Sequence, residues 1–240
     1  MNPTEELFRD DATLLQCEAT VLGTEEGGGL ILDRSVAYPL GGGQAGDSGV
    51  IRTGALALRF GDTRKSKLHP GAILHLIEGG PLPAGTVVTV EIDAARRDKH
   101  RRFHTATHLL CALLPHPVDG CSITEAYARL DFHTDEPFDK DAIQAGLDRL
   151  VAAAHPVRQR WISEEELDAN PGLVRSMSVQ PPRGLGRIRV IEVEGVDLQP
   201  CGGTHVSNTL DIGAVRVTKI EKKSAKTRRV VLGFADPGGA

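Results

Sequence analysis

The sequence contains no run of 18 or more apolar residues, so no membrane-spanning helix is expected. Its first residues, MNPTEELFRDD, are polar and acidic where a secretory leader would be basic and then apolar, and a cytoplasmic protein is the expectation. Cysteine is sparse and irregularly placed, at Cys17, Cys111, Cys121 and Cys201, which argues against a disulfide framework. A large charge of one sign is also lacking: the formal net charge is −4, unlike that of a protein that coats nucleic acid indiscriminately, and no DNA partner is expected. Aromatic residues are few, six Phe, two Tyr and one Trp, so any contact with bases should involve little stacking. What remains is an ordinary globular composition, 240 residues with 40% hydrophobic and 25% charged side chains, enough for one large domain or two modest ones.

The patterning divides the chain near Asp93. Before it, Leu14 to Leu22, Gly29 to Leu32, Gly49 to Phe60, Ile73 to Ile77 and Thr86 to Ile92 are short alternating runs separated by Gly, Pro and Asp, which suggests a small β-barrel over residues 1–92. After it, Phe103, Ala106, Leu109, Leu110 and Leu113 recur at helical spacing until Pro115, with Asp93 as a candidate N-cap. A second helix is expected from Asp139 to His155, and a third from Ser163, whose partner Glu166 would complete a capping box. Strands are expected at Ala128 to Phe132, Val157 to Ile162, Arg187 to Val193, Ala214 to Glu221 and Arg229 to Phe234. The expected class is α+β: a barrel followed by a mixed α+β domain over residues 93–240.

His104 and His108 stand four apart on the first helix, so both imidazoles project from one face. Alone, such a pair could be two polar residues on a partly exposed helix. Cys201, Gly202, Gly203, Thr204 and His205 supply a thiol and a third imidazole, with two glycines expected to permit a tight turn. Three histidines and one cysteine form the donor set that zinc prefers, so one zinc ion per chain is expected. A metalloprotease of the His-Glu-x-x-His type is not expected, because Thr105 stands where the glutamate would be. A purely structural zinc stays open, since four protein donors can close a tetrahedron.

Two basic clusters flank these motifs: Arg96, Arg97, Lys99, Arg101 and Arg102 before the histidine pair, and Lys219, Lys222, Lys223, Lys226, Arg228 and Arg229 after the cysteine motif. Each could be a solvated face, but both lie beside candidate metal ligands, which points to an anionic substrate.

The residues Arg101 to Leu110, the stretch Gln199 to Val206, and the loop from Tyr38 to Gln44 with Asp47 and Gly49 together resemble the editing domain of alanyl-tRNA synthetases and their free-standing AlaX-type relatives of medium length. The likeness continues through Arg129 to Phe132, Asn208, Thr209 and the Arg228 to Phe234 end, and so covers nearly the whole chain. With no room for an aminoacylation domain, a stand-alone editor is the natural expectation. The resemblance implies a β-barrel followed by a zinc-bearing editing domain that hydrolyses tRNA(Ala) wrongly charged with serine or glycine. It implies His104, His108, Cys201 and His205 as ligands, Gln44 in the aminoacyl pocket, and Thr105 or Thr107 shaping it. Rejecting serine by one hydroxyl is a task at which an apolar synthetic pocket is weak, so a second site must bond that hydroxyl. The acceptor end of the RNA would be met through phosphates and 2′-hydroxyls, by Arg96, Arg97, Lys99, Arg101, Arg102, Lys222, Lys223 and Lys226.

The chain departs from the family's usual Thr-x-Phe-Tyr-Pro-Glu-Gly-Gly-Gly-Gln at two positions: Leu40 replaces a carboxylate and Ala37 an aromatic ring. Altered or broadened amino-acid selectivity is therefore an expectation to test. Two other readings compete with the editor: a non-catalytic RNA-binding module with a structural zinc, and an esterase acting on small aminoacyl compounds without RNA.

Overall fold

The structure is a computed structural model describing residues 2–25, 27–177, 180–181, 183–184 and 186–235. It divides into two compact units, Met1–Lys99 and His100–Ala240.

In the first unit, β1 (Glu5–Glu6) pairs in parallel with β4 (Arg34–Ser35). Six strands, β2 (Gln16–Glu25), β3 (Gly29–Leu32), β5 (Gly49–Thr53), β6 (Leu56–Lys65), β7 (Ile73–Ile77) and β8 (Val87–Ile92), close into a barrel in the order β2-β3-β7-β6-β5-β8. Alternation drives the closure. In β8, Val88, Val90 and Ile92 point inward while Val87, Thr89 and Glu91 face out, and the barrel fills with Val21, Leu30, Leu32, Ile51 and Phe60. The expected run from Gly49 to Phe60 is two strands, because Gly54 at φ 53° turns the chain back into a hairpin. Gly49 itself is required by close approach, since a Cβ there would collide with the Glu91 carbonyl of β8.

The helix α1 (Ala94–Leu113) follows, and from His100 onward it belongs to the second unit. There Phe103, Ala106, Leu109 and Leu110 are fully buried in the main core. Among its described residues the unit contains two sheets. One orders β14 (Val215–Ser224), β15 (Thr227–Phe234), β10 (Ala128–His133) and β9 (Val118–Ile123); the other orders β11 (Val157–Ser163), β12 (Arg187–Val193) and β13 (Asp197–Pro200). The helix α2 (Lys140–Ala152) starts at Asp139, whose side chain accepts from the Asp141 and Ala142 amides, and packs Ile143 and Leu147 into the core. The short α3 (Glu164–Ala169) is capped by Ser163, which accepts from the Glu166 amide. No described helix is long and apolar enough to cross a membrane. The observed class is α+β, with a closed barrel and further sheets.

Candidate metal centre

His104 and His108 stand on one face of α1, beside the buried Phe103 and Leu109 stripe. Cys201 and His205 come from the loop that follows β13. The donor atoms of these four residues all lie within 4.8 Å of one another, with the three histidines buried and Cys201 half-buried. The Cys201 Sγ is 3.4 Å from His104 Nε2 and 3.3 Å from His205 Nε2. A tetrahedral ion with ordinary zinc–sulfur and zinc–nitrogen bonds would separate S from N by about 3.6 Å, so the spacing fits a four-coordinate metal.

The surroundings fix which nitrogen faces the centre. His108 Nδ1 is 3.0 Å from Asp197 Oδ2, and His205 Nδ1 is 3.2 Å from Thr105 Oγ1. Both contacts leave Nε2 turned inward, in the arrangement by which a rear partner sets the tautomer of a ligating imidazole. Thr105 uses its whole hydrogen-bonding capacity here: its hydroxyl donates to the Arg101 carbonyl at 3.0 Å and accepts from His205 Nδ1 and from the Val206 amide at 3.2 Å. Thr107 instead donates back along the helix, to the His104 carbonyl at 2.7 Å.

The loop is held by two arginines. Arg189 donates to the Cys201 and Gly203 carbonyls at 2.8 and 3.0 Å, and Arg101 donates to the His205 carbonyl at 2.9 Å. The Gly203 amide points at the Cys201 sulfur, 3.4 Å away. Neither Gly202 nor Gly203 adopts a positive φ, so the loop forms without left-handed backbone at either glycine. In the loop of the first unit the reverse holds, with Gly42 at φ 57° and Gly43 at φ 84°.

Electrostatically the cluster is rich in electron pairs. Burial alone would raise the Cys201 thiol, but His104 and His205 pull it well below its ordinary value. Burial pushes His205 well below the ordinary imidazole range. Burial would lower His108 too, yet its hydrogen bonds to Asp197 and Cys201 lift it to about 10. A Cys201 thiolate beside the Asp197 carboxylate would bring two negative charges together, which a divalent cation would balance.

The other expected site residues are more dispersed. Gln44 is buried in the first unit, with its backbone bridged to Gly41. Arg97 requires a correction. It was expected to meet RNA, but it is 1% exposed and its guanidinium is committed to Asp47, with further bonds to the Val36 and Ala12 carbonyls at 2.6 and 3.1 Å. A buried, fully engaged guanidinium has nothing left for a phosphate. Arg96 is half-buried and donates to the Gly46 carbonyl, and Arg102 donates to the Ile212 carbonyl and lies over the Phe234 ring. Lys99, Lys222, Lys223 and Lys226 are exposed. Arg228, from the second basic cluster, is buried against the Ser224, Thr227 and Asp135 carbonyls. Asp197 and Arg189 were missed. Strand alternation through Asp197, Gln199 and Cys201 would have placed the carboxylate on the ligand's face, had the four-residue β13 been recognised.

Comparison with known proteins relates the chain to tRNA-editing and tRNA-charging proteins. The family described as threonyl and alanyl tRNA synthetase second additional domain matches residues 188–231, a stretch that holds both Cys201 and His205. The alanyl-tRNA editing protein AlaX-M of Methanosarcina barkeri is 31% identical over 97% of this chain and 100% of its own length. The chain belongs to the AlaX-M family of alanyl-tRNA editing proteins. A second AlaX-M, from Methanosarcina mazei, is 29% identical over 97% of both chains. The alanine-tRNA ligase of Halorubrum lacusprofundi is 35% identical over 99% of this chain but only 26% of its own length. The chain thus spans about a quarter of the ligases it matches and the whole of an AlaX-M relative.

Proposed function

We propose that this protein is a zinc-dependent hydrolase that removes serine, and glycine where it is misattached, from tRNA(Ala). The observation that carries the reading is the group of three imidazoles and one thiol within 4.8 Å of one another in a chain of the alanyl-tRNA editing family. His104, His108 and His205 through Nε2 and Cys201 through Sγ would hold the ion, whose Lewis acidity would polarise the ester carbonyl or orient the terminal adenosine. Asp197 and Thr105 act on the reaction indirectly, by keeping the His108 and His205 rings turned to the centre. Thr107 in the second unit and Gln44 in the first are each proposed to bear on recognition of the aminoacyl group. Hydrolysis adds water across the ester: the water oxygen bonds to the carbonyl carbon, the bond to the ribose oxygen breaks, and that oxygen takes a proton. The exposed Lys99, Lys222, Lys223 and Lys226 are proposed to meet the phosphates of the acceptor end, with a marked loss of affinity in salt. The barrel, 1–92, and the metal-bearing part, 93–240, are proposed to act as two domains of one enzyme.

The test is hydrolysis of Ser-tRNA(Ala), Gly-tRNA(Ala) and Ala-tRNA(Ala), with and without a chelator, alongside metal analysis of Cys201→Ala and His104→Ala. Hydrolysis of the mischarged species alone, lost together with the ion, is expected. The donor count favours one alternative: four protein ligands can close a tetrahedron around a structural ion. RNA binding without turnover in the intact protein would select that alternative. Leu40 is exposed in its loop, so Leu40→Glu should change the ratio of serine to glycine hydrolysis and leave folding intact; equal ratios in the two proteins would remove the idea of altered selectivity.

A further inference from the structure

The chain's single tryptophan, Trp161, is 43% exposed on the edge strand β11, and the guanidinium of Arg187 lies 4.4 Å from its ring centre. Its position in the sheet is what gives it meaning. Trp161 is the direct cross-strand partner of Arg189 on β12, and the Arg189 carbonyl accepts from the Cys201 amide at 3.1 Å. Trp161, Arg189 and Cys201 thus form one row across the sheet, and residues directly opposite in a ladder point to the same face. That face also carries Asp197 and Gln199, through their pairing with Val193 and Ile191, and Gln159, which accepts from Arg189 Nε at 3.1 Å. At the usual spacing between strands, two steps put the Trp161 Cα about 10 Å from that of Cys201.

We propose that Trp161, with Arg187 beside it, is a stacking platform for an unpaired base at the 3′ end of the RNA whose ester is presented to the metal centre. The inference rests on the deacylase reading and adds to it where the terminal bases are held. Unpaired RNA ends are gripped by stacking on aromatic rings and guanidinium planes, and an exposed indole beside an exposed arginine offers both surfaces. The cation also suits the adjoining phosphates. A span of about 10 Å is that of a nucleotide or two, so a base on the ring and an ester at the metal can belong to the same strand end. The general scarcity of rings in this sequence makes the one exposed indole in line with a metal ligand more informative.

Because Trp161 is the only tryptophan, its emission reports on this position alone. The intact protein is titrated with the trinucleotide CCA, and deacylation of a serylated tRNA(Ala) minihelix is measured for wild type, Trp161→Phe and Trp161→Ala. Saturable quenching by CCA is expected. Trp161→Ala should raise KM by about 10-fold or more, since stacking contributes about 1–3 kcal/mol per base, with kcat and metal content little changed; Trp161→Phe should retain most of the affinity. Wild-type turnover with an unchanged KM in Trp161→Ala, or no response to CCA, would overturn the platform and leave the deacylase reading standing. Quenching by CCA with no turnover of any aminoacylated minihelix would support the platform and defeat the deacylase reading. An emission shift that follows protein concentration without RNA would also overturn it, because a second copy of the chain would then be covering the ring.

Discussion

Each of the two units buries a polar cluster, and they balance its charge differently. In the barrel unit, Asp47 is closed off within the chain: Arg97 neutralises it, the Tyr38 amide donates to it at 2.7 Å, and its own backbone is tied to Tyr38 and Thr63. In the second unit, His104, His108, Cys201 and His205 supply electron pairs and Asp197 adds a carboxylate, a set that could take a metal ion. A cluster with its own counter-ion is a structural fastener. A cluster of donors of this kind could instead hold a cation.

The comparison can be broken most forcefully at Arg97. Removing it leaves a buried carboxylate unpaired, so Arg97→Met should cost about 3–5 kcal/mol in urea denaturation while leaving metal content per folded molecule unchanged. The double variant with Asp47→Asn should recover part of that loss. A stability loss near zero for Arg97→Met would mean that the pair does not fasten the loop from Val36 to Asp47.

Acid gives a second way to separate the units. His75 lies inside the barrel unit, 2.8 Å from Ser35 Oγ and 3.2 Å from the Leu30 carbonyl, and burial pulls it down from its ordinary 6.5 to about 4. The unfolded chain therefore takes up this proton first as pH falls. The stability the neutral ring contributes is fully present above about pH 6.5 and lost progressively toward pH 4, by about 3 kcal/mol at most. His75→Gln should flatten that part of the pH dependence, and identical slopes in the two proteins would sink the assignment.

The smallest expected effect sharpens the other side of the comparison. Asp197→Asn keeps a hydrogen-bond acceptor behind His108 but removes the charge. Metal affinity should fall about 10- to 100-fold, read by competition with a chromophoric chelator. An unchanged affinity would show that Asp197 orients the ring only by shape.

These contrasts also show what could be read from residues alone. The barrel strands at Gly29 to Leu32 and Ile73 to Ile77 and the strand at Arg187 to Val193 were legible to the residue, because alternation or a short apolar run met a clear turn signal. Strand β9 was not: Val118, Asp119, Gly120, Cys121, Ser122 and Ile123 show no alternation, and the strand forms through pairing with β10. The four donors were legible because helical spacing and a compact Cys-to-His motif are local signals. Arg97 was misread because a charge run does not reveal which member points inward, and that depends on Asp47, fifty residues away. The support from Arg189 was hidden for the same reason, since it acts across a sheet whose register is set by tertiary contacts, whereas that from Asp197 needed only the short β13 to be recognised.

Clamping His108 and His205 from behind also bears on which ion the centre selects. On raw affinity, copper(II) would displace most divalent competitors from nitrogen and sulfur donors, following the Irving–Williams order. Copper(II) favours a tetragonal arrangement, whereas rings anchored by Asp197 and Thr105 cannot easily swing into one plane. If the centre holds zinc as proposed, the two rear hydrogen bonds would act as a geometric filter, favouring a d¹⁰ ion that is indifferent to such distortion over a stronger binder that is not.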